Sequence, residues 1–269
     1  MKKRMLLVLG GLFVVLGMRA QEDKSVLEVS YAVKYRLNTG DAELRNDVVA
    51  LLIGERQSLC YSEHSRRRSF VSDSLSKAQV PLDEMMATLG SKDVPRFGQS
   101  WQVLKNYPKE GVSCYINNVF RTQYAVEEPL NPFEWELLEG DTTVAGYPCQ
   151  LAQTTWRGRT WRVWYTLDLP YDNGPWKLGG LPGLILVADD AAGDYHYSCI
   201  SIRQGQGLPI AYEGKKPDKT TQKDFQELFT RFREDPSTFL KQATGGKIVV
   251  QQKSGSKLKG HTPVFMELF

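Results

Sequence analysis

The chain has 269 residues, 41% hydrophobic and 24% charged, a balance that excludes a disordered polyelectrolyte and allows one sizeable folded core. Its formal charge of +3 arises in the first twenty residues, where Lys2, Lys3, Arg4 and Arg19 stand without any acid. The remainder is near neutral, which removes the general electrostatic case for nucleic acid or an acidic membrane surface.

Met1 to Ala20 reads as a secretory signal peptide: a basic start, an apolar run from Met5 to Leu16, then Ala20 before Gln21. The run is too short for a membrane span, and no cysteine follows the cleavage point to carry a lipid. Residues 21–269 are therefore expected as a single exported domain without a transmembrane segment, in the periplasm or on the outer cell surface.

Val26 to Leu37 alternates apolar and polar residues, the pattern of a half-buried antiparallel strand. Asn38-Thr39-Gly40-Asp41 turns the chain, and Val48 to Tyr61 reads as one second strand with a bulge at Gly54. The basic run His64-Ser65-Arg66-Arg67-Arg68 has no interleaved aromatics, so Arg66 to Lys77 reads as a solvated loop. Pro81 opens a helix in which Leu82, Met85, Met86 and Leu89 recur at helical spacing, with Gly90 as its stop. Core packing explains that stripe better than copper binding, and the helix is expected to cover one sheet edge. Val112 to Tyr124 reads as a third strand and Phe133 to Leu138 as a fourth.

Tyr147 to Trp156 and Arg159 to Leu167 form a hairpin about the two residues Arg157-Gly158. A two-residue turn sets Trp156 opposite Arg159, Thr154 opposite Trp161, Leu151 opposite Trp164 and Gln150 opposite Tyr165. Tryptophan then lies on both faces, so either the sheet curls around its own side chains or one face binds a ligand. Leu167 to Leu178 crosses back, pinned by Trp176, and Leu184 to Ala188 is a strand covered on both faces. Tyr195 to Ile202 follows as its hairpin partner. Thr221 to Asp224 has the form of a capping box before an apolar stripe of Phe225, Leu228, Phe229 and Phe232. Asp235-Pro236 starts a second helix to about Ala243, and Lys247 to Gln252 and Pro263 to Leu268 read as final strands.

The fold class expected is mainly β: a curved antiparallel sheet or half-barrel, with a helix after the second strand and a C-terminal helical hairpin packed on it. Cys60, Cys114, Cys149 and Cys199 lie in a chain that should leave the reducing cytoplasm; the pairing favoured is Cys60 with Cys114, then Cys149 with Cys199 by elimination. No spacing of cysteine and histidine supplies a metal site, and no cofactor fingerprint is present.

Gly180-Leu181-Pro182-Gly183-Leu184-Ile185 prepares a rigid entry into the apolar strand, because glycine and proline there open and fix the backbone in turn. The hexapeptide resembles the signature of the GLPGLI family. Gly146-Tyr147-Pro148-Cys149, Gly158-Arg159, Trp164-Tyr165-Thr166, Pro170 and Gly174-Pro175-Trp176 extend the resemblance over Gly146 to Ala188. Thr262, Pro263 and Glu267-Leu268 match the family's Asn-Pro-Ile-Glu-Leu ending only loosely. The resemblance implies an exported Gram-negative envelope protein, encoded near outer-membrane receptors; a similar domain is attached to a peptide N-glycosidase. With no catalytic motif found, the expected role is a non-catalytic binding protein for a peptide, glycan or apolar moiety, through Arg159, Trp161, Trp164, Tyr165 and Trp176. The competing readings are a hydrolase using a pair among Asp168, Asp172, Asp189, Asp190 and Asp194, and a lipid or lipoprotein carrier.

Overall fold

A computed structural model describes residues 23–96, 98–245 and 260–268. Met1 to Ala20, expected as a signal peptide, and Lys247 to Gln252, expected as a strand, lie outside them. Twelve strands form one sheet: β1 (Leu27–Tyr35), β2 (Arg45–Ile53), β3 (Ser58–Ser62), β4 (Gln102–Lys105), β5 (Val112–Val119), β6 (Thr122–Pro129), β7 (Glu136–Val144), β8 (Tyr147–Trp156), β9 (Arg159–Thr166), β10 (Leu184–Asp190), β11 (Tyr195–Gln204) and the short β12 (Asp218–Lys219). Their spatial order is β12-β6-β5-β4-β3-β2-β1-β11-β10-β9-β8-β7. Every pairing is antiparallel except β12 with β6.

Chain connectivity forces the curvature. β6 and β7 are consecutive in sequence yet lie ten strand spacings apart in the sheet, about 48 Å if it were flat. The seven steps from Pro129 to Glu136 reach at most about 25 Å. The sheet therefore curls until its two ends approach each other. Glu128 on β6 and Arg157 at the β8–β9 turn form an ion pair across that gap.

A single apolar cluster fills the concave side, drawing Tyr31, Val103, Trp161, Val163 and Tyr197 from the strands and Trp176 from the β9–β10 connection. Each fully buried large side chain contributes roughly 1.5–3 kcal/mol. A smaller cluster of Leu52, Leu59, Leu104, Cys114 and Ile116 packs on the other face under Ile210.

Among the described residues there are four helices: α1 (Glu63–Lys77), α2 (Leu82–Leu89), α3 (Gln222–Glu234) and α4 (Pro236–Ala243). The Thr221 hydroxyl accepts from the Asp224 amide to cap α3, and Phe232 meets Phe239 edge-on at 5.2 Å to join α3 with α4. Phe225 sets this helical pair against Tyr115 of β5. The expected mainly β fold with a C-terminal helical pair is the one observed.

Several expectations are corrected. The second strand is two, because the Asp23 carboxylate accepts from the amides of Arg56 and Gln57 and holds a turn there. Val112 to Tyr124 is also broken, by a turn that places Phe120 at φ +56° without any glycine. The Arg66 to Lys77 stretch is helical, started by the Ser62 side chain accepting from the Ser65 amide. α2 lies beside α1, and its stripe does not pack into a core: Leu82 and Met86 are exposed and only Leu89 is buried. Pro263 makes one isolated bridge to Asn38, and Pro263 to Leu268 is not a strand.

The disulfides are corrected too: all four cysteines are free and buried. β4 separates Cys60 on β3 from Cys114 on β5, and the two side chains join the clusters on opposite faces. Burial pushes the Cys60 thiol up to about 12, and its sulfur accepts from the Trp176 amide at 3.3 Å.

Candidate functional site

The β8–β9 hairpin has the register that a two-residue turn requires, with Trp156 opposite Arg159, Thr154 opposite Trp161 and Leu151 opposite Trp164. Arg157 and Gly158 both take positive φ, +45° and +71°, which matches the twist of the flanking strands. From β9 the chain passes through residues 167–183 to β10, and this connection runs inward.

Two glycine positions show why. A Cβ at Gly183 would sit 2.0 Å from the Thr166 carbonyl oxygen, so only glycine lets the connection leave β9 at that distance. Gly180 has φ +88°, and its amide donates to Asp172, whose carboxylate also accepts from Asn131 at 2.9 Å. Trp135 donates to the Gly179 carbonyl at 2.8 Å. The glycine-rich loop thus serves close packing.

Inside the curve, Lys105 on β4 donates to the Asn173 side chain at 2.8 Å and to the carbonyls of Gly174 and Leu178. Burial pulls its ammonium down to about 8, and no carboxylate contacts it among the described residues. Trp176 is held at φ +54° between the rings of Trp156 and Trp161, at 6.0 Å and 5.7 Å. Lys177 then reaches Glu128 at 2.6 Å and also Glu267, while Arg157 binds Glu267 at 2.5 Å. Burial pushes Glu128 up, but Lys177 and Arg157 outweigh it and hold the carboxyl below its ordinary value. These four charges balance and fasten the β8–β9 turn, β6 and the C-terminal segment together.

Between the concave face, α3 and residues 263–267 lies a cavity of about 110 Å³. Trp101, Tyr115, Trp176, Phe225 and Phe229 supply aromatic walls, with Asn117 and Gln222 among them. Glu267 is the one carboxylate on the described lining, and it is neutralised by Lys177 and Arg157.

The five residues expected to bind ligand do not share an open surface. Trp161, Tyr165 and Trp176 are interior, and Arg159 is buried by Asp190, Asp194 and the Phe265 carbonyl. Trp164 is half-buried on the opposite face, over Gly140. Of the five, Trp176 alone lines the cavity. The aspartates also disperse: Asp190 and Asp194 serve Arg159, Asp172 serves Gly180, and Asp189 pairs with His196. The sequence signal for Lys177 is that it is the one base in residues 167–183, set between Trp176 and Leu178. Glu128 carries no signal, and Glu267 only the loose match to the Asn-Pro-Ile-Glu-Leu ending.

No family model matches the chain, and no curated protein matches it. Among solved structures, PNGF-II superposes in two crystal forms. In the P21 form the TM-score is 0.52 at 14% identity, covering 78% of this chain and 34% of PNGF-II; in the C2 form it is 0.51 at 15%, covering 77% and 33%. This chain thus has the fold of a part of PNGF-II and spans about a third of its length. A LolA superfamily protein, NE2245 from Nitrosomonas europaea, matches at a TM-score of 0.29 and 10% identity, over 72% of this chain and 91% of that one.

Proposed function

We propose that this is an exported envelope protein of the GLPGLI type that holds a small ligand, or one end of a larger one, in the cavity beneath α3 without transforming it. The cavity carries the proposal: aromatic walls with a few polar side chains among them are the usual make-up of a ligand site. The lining suits the chemistry of a peptide or glycan end, of which about 110 Å³ admits only a small group unless α3 lifts. That the fold occurs in PNGF-II as about a third of a longer chain is consistent with an accessory role.

Hydrolysis by a carboxylate pair finds less support, since Glu267 is ion-paired and Asp172, Asp189, Asp190 and Asp194 hold other groups. The lipid-carrier reading meets a size limit. A cavity of roughly 150 Å³ accommodates benzene, so about 110 Å³ is short of an acyl chain unless α3 lifts.

Tryptophan emission tests the proposal, because Trp101 and Trp176 line the cavity. Titration with peptide, glycan and fatty-acid pools is expected to give a saturable change with one pool, lost when Gln222→Phe narrows the space. Silence with every pool would sink the reading, provided the protein is folded.

A further inference from the structure

β3 and β4 are adjacent antiparallel strands, yet residues 63–101 leave the sheet between them to build α1 and α2. α1 buries no residue, so core packing does not account for its fifteen-residue length. Arg68 explains part of the basic run: it donates to the Leu89 carbonyl at 2.8 Å and the Pro95 carbonyl at 3.4 Å, tying α1 to the end of α2. Arg66 and Arg67 stay exposed. Arg66 lies over the Tyr61 ring at 4.8 Å and reaches an exposed Glu213 at 3.4 Å, a weak surface pair. Arg67 makes no ion pair among the described residues.

Tyr61, Glu63, Arg66, Arg67 and Phe70 line an open trough of about 280 Å³. Glu63, its one acid, is partly engaged by the Ser30 hydroxyl at 3.4 Å. Beside this trough stands Phe70, 72% exposed, while α2 presents Leu82 at 73% and Met86 at 60%. Two guanidinium groups next to an unpartnered aromatic ring are suited to planar carboxylates and apolar side chains together. Asp83 and Glu84 in the first turn of α2 oppose an anionic bilayer laid over both helices.

We propose that the outer face of α1 and α2 docks another protein, through a segment that gives a carboxylate to Arg66 and Arg67 and an apolar side chain to Phe70. This surface is separate from the cavity and stands whether or not the cavity holds a ligand.

Fluorescence anisotropy of a labelled peptide of alternating glutamate and phenylalanine tests it, with a lysine–phenylalanine peptide as the control. Saturable binding of the acidic probe alone is expected, weakened about tenfold by Arg67→Glu and by Phe70→Ser and reduced by salt. Both residues are exposed, so thermal unfolding of the variants should match the parent. Equal binding of the two probes, or binding indifferent to the substitutions, would overturn the proposal. So would sedimentation with phosphatidylglycerol vesicles, or concentration-dependent dimerisation, that the same substitutions abolish while the acidic probe is ignored.

Discussion

Two connections in this molecule join neighbouring antiparallel strands that a tight turn could link, and they go opposite ways. Residues 167–183, between β9 and β10, turn inward and bury Trp176, Lys177, Leu178 and Leu181. Residues 63–101, between β3 and β4, turn outward and leave Phe70, Leu82 and Met86 in water. The inward connection is built from tryptophan, leucine and glycines that permit close approach. The outward one is rich in serine and arginine along α1 and returns to the core only near its end, with Leu89, Val94 and Trp101. The contrast separates what closes the fold from what the fold displays.

Breaking the inward connection should have the largest effect. Gly183→Ala places a methyl group against the Thr166 carbonyl, with backbone on both sides, and is expected to cost more than about 3 kcal/mol or to prevent folding. Urea denaturation would measure it; a variant as stable as the parent would mean that β9 and the connection are not in contact there.

Lys105 sharpens the comparison through pH. Below pH 8 folded and unfolded chains both carry its charge. Between about 8 and 10.5 the unfolded chain keeps a proton that the folded chain has released, so this group favours folding increasingly as pH rises. Relative to Lys105→Met, the parent should gain up to about 3 kcal/mol across that window. An unchanged difference would show that the three oxygens around the ammonium hold it at its ordinary value despite burial.

The smallest effect is expected outside. Leu82→Ser, like Phe70→Ser, should alter unfolding by no more than about 0.5 kcal/mol, because exposed side chains lose little on truncation. A loss of several times that amount would show that the outer helices are packed after all.

The legible parts of the fold were those whose signals are local. The β8–β9 register followed from alternation and Arg157-Gly158 alone. α3 followed from Thr221, Asp224 and a phenylalanine stripe. What was hidden depends on distant partners: Asp23 splits β2 from β3 across more than thirty residues, and the Phe120 turn lacks the glycine that would announce it. α1 is hidden as well, because a helix without an apolar stripe has no period to detect. At the site, alternation showed that the tryptophans of the hairpin lie on two faces. It did not show which face was inside, since that follows from the curl of the whole sheet.

The gap between β6 and β7 gives this shape a mechanical character. Among the described residues no backbone hydrogen bond stitches that seam; it is spanned by residues 130–135 and fastened by charged side chains around Glu128. A hoop closed in this way yields first at its buckle, so its bore can widen while every rung of the ladder stays intact.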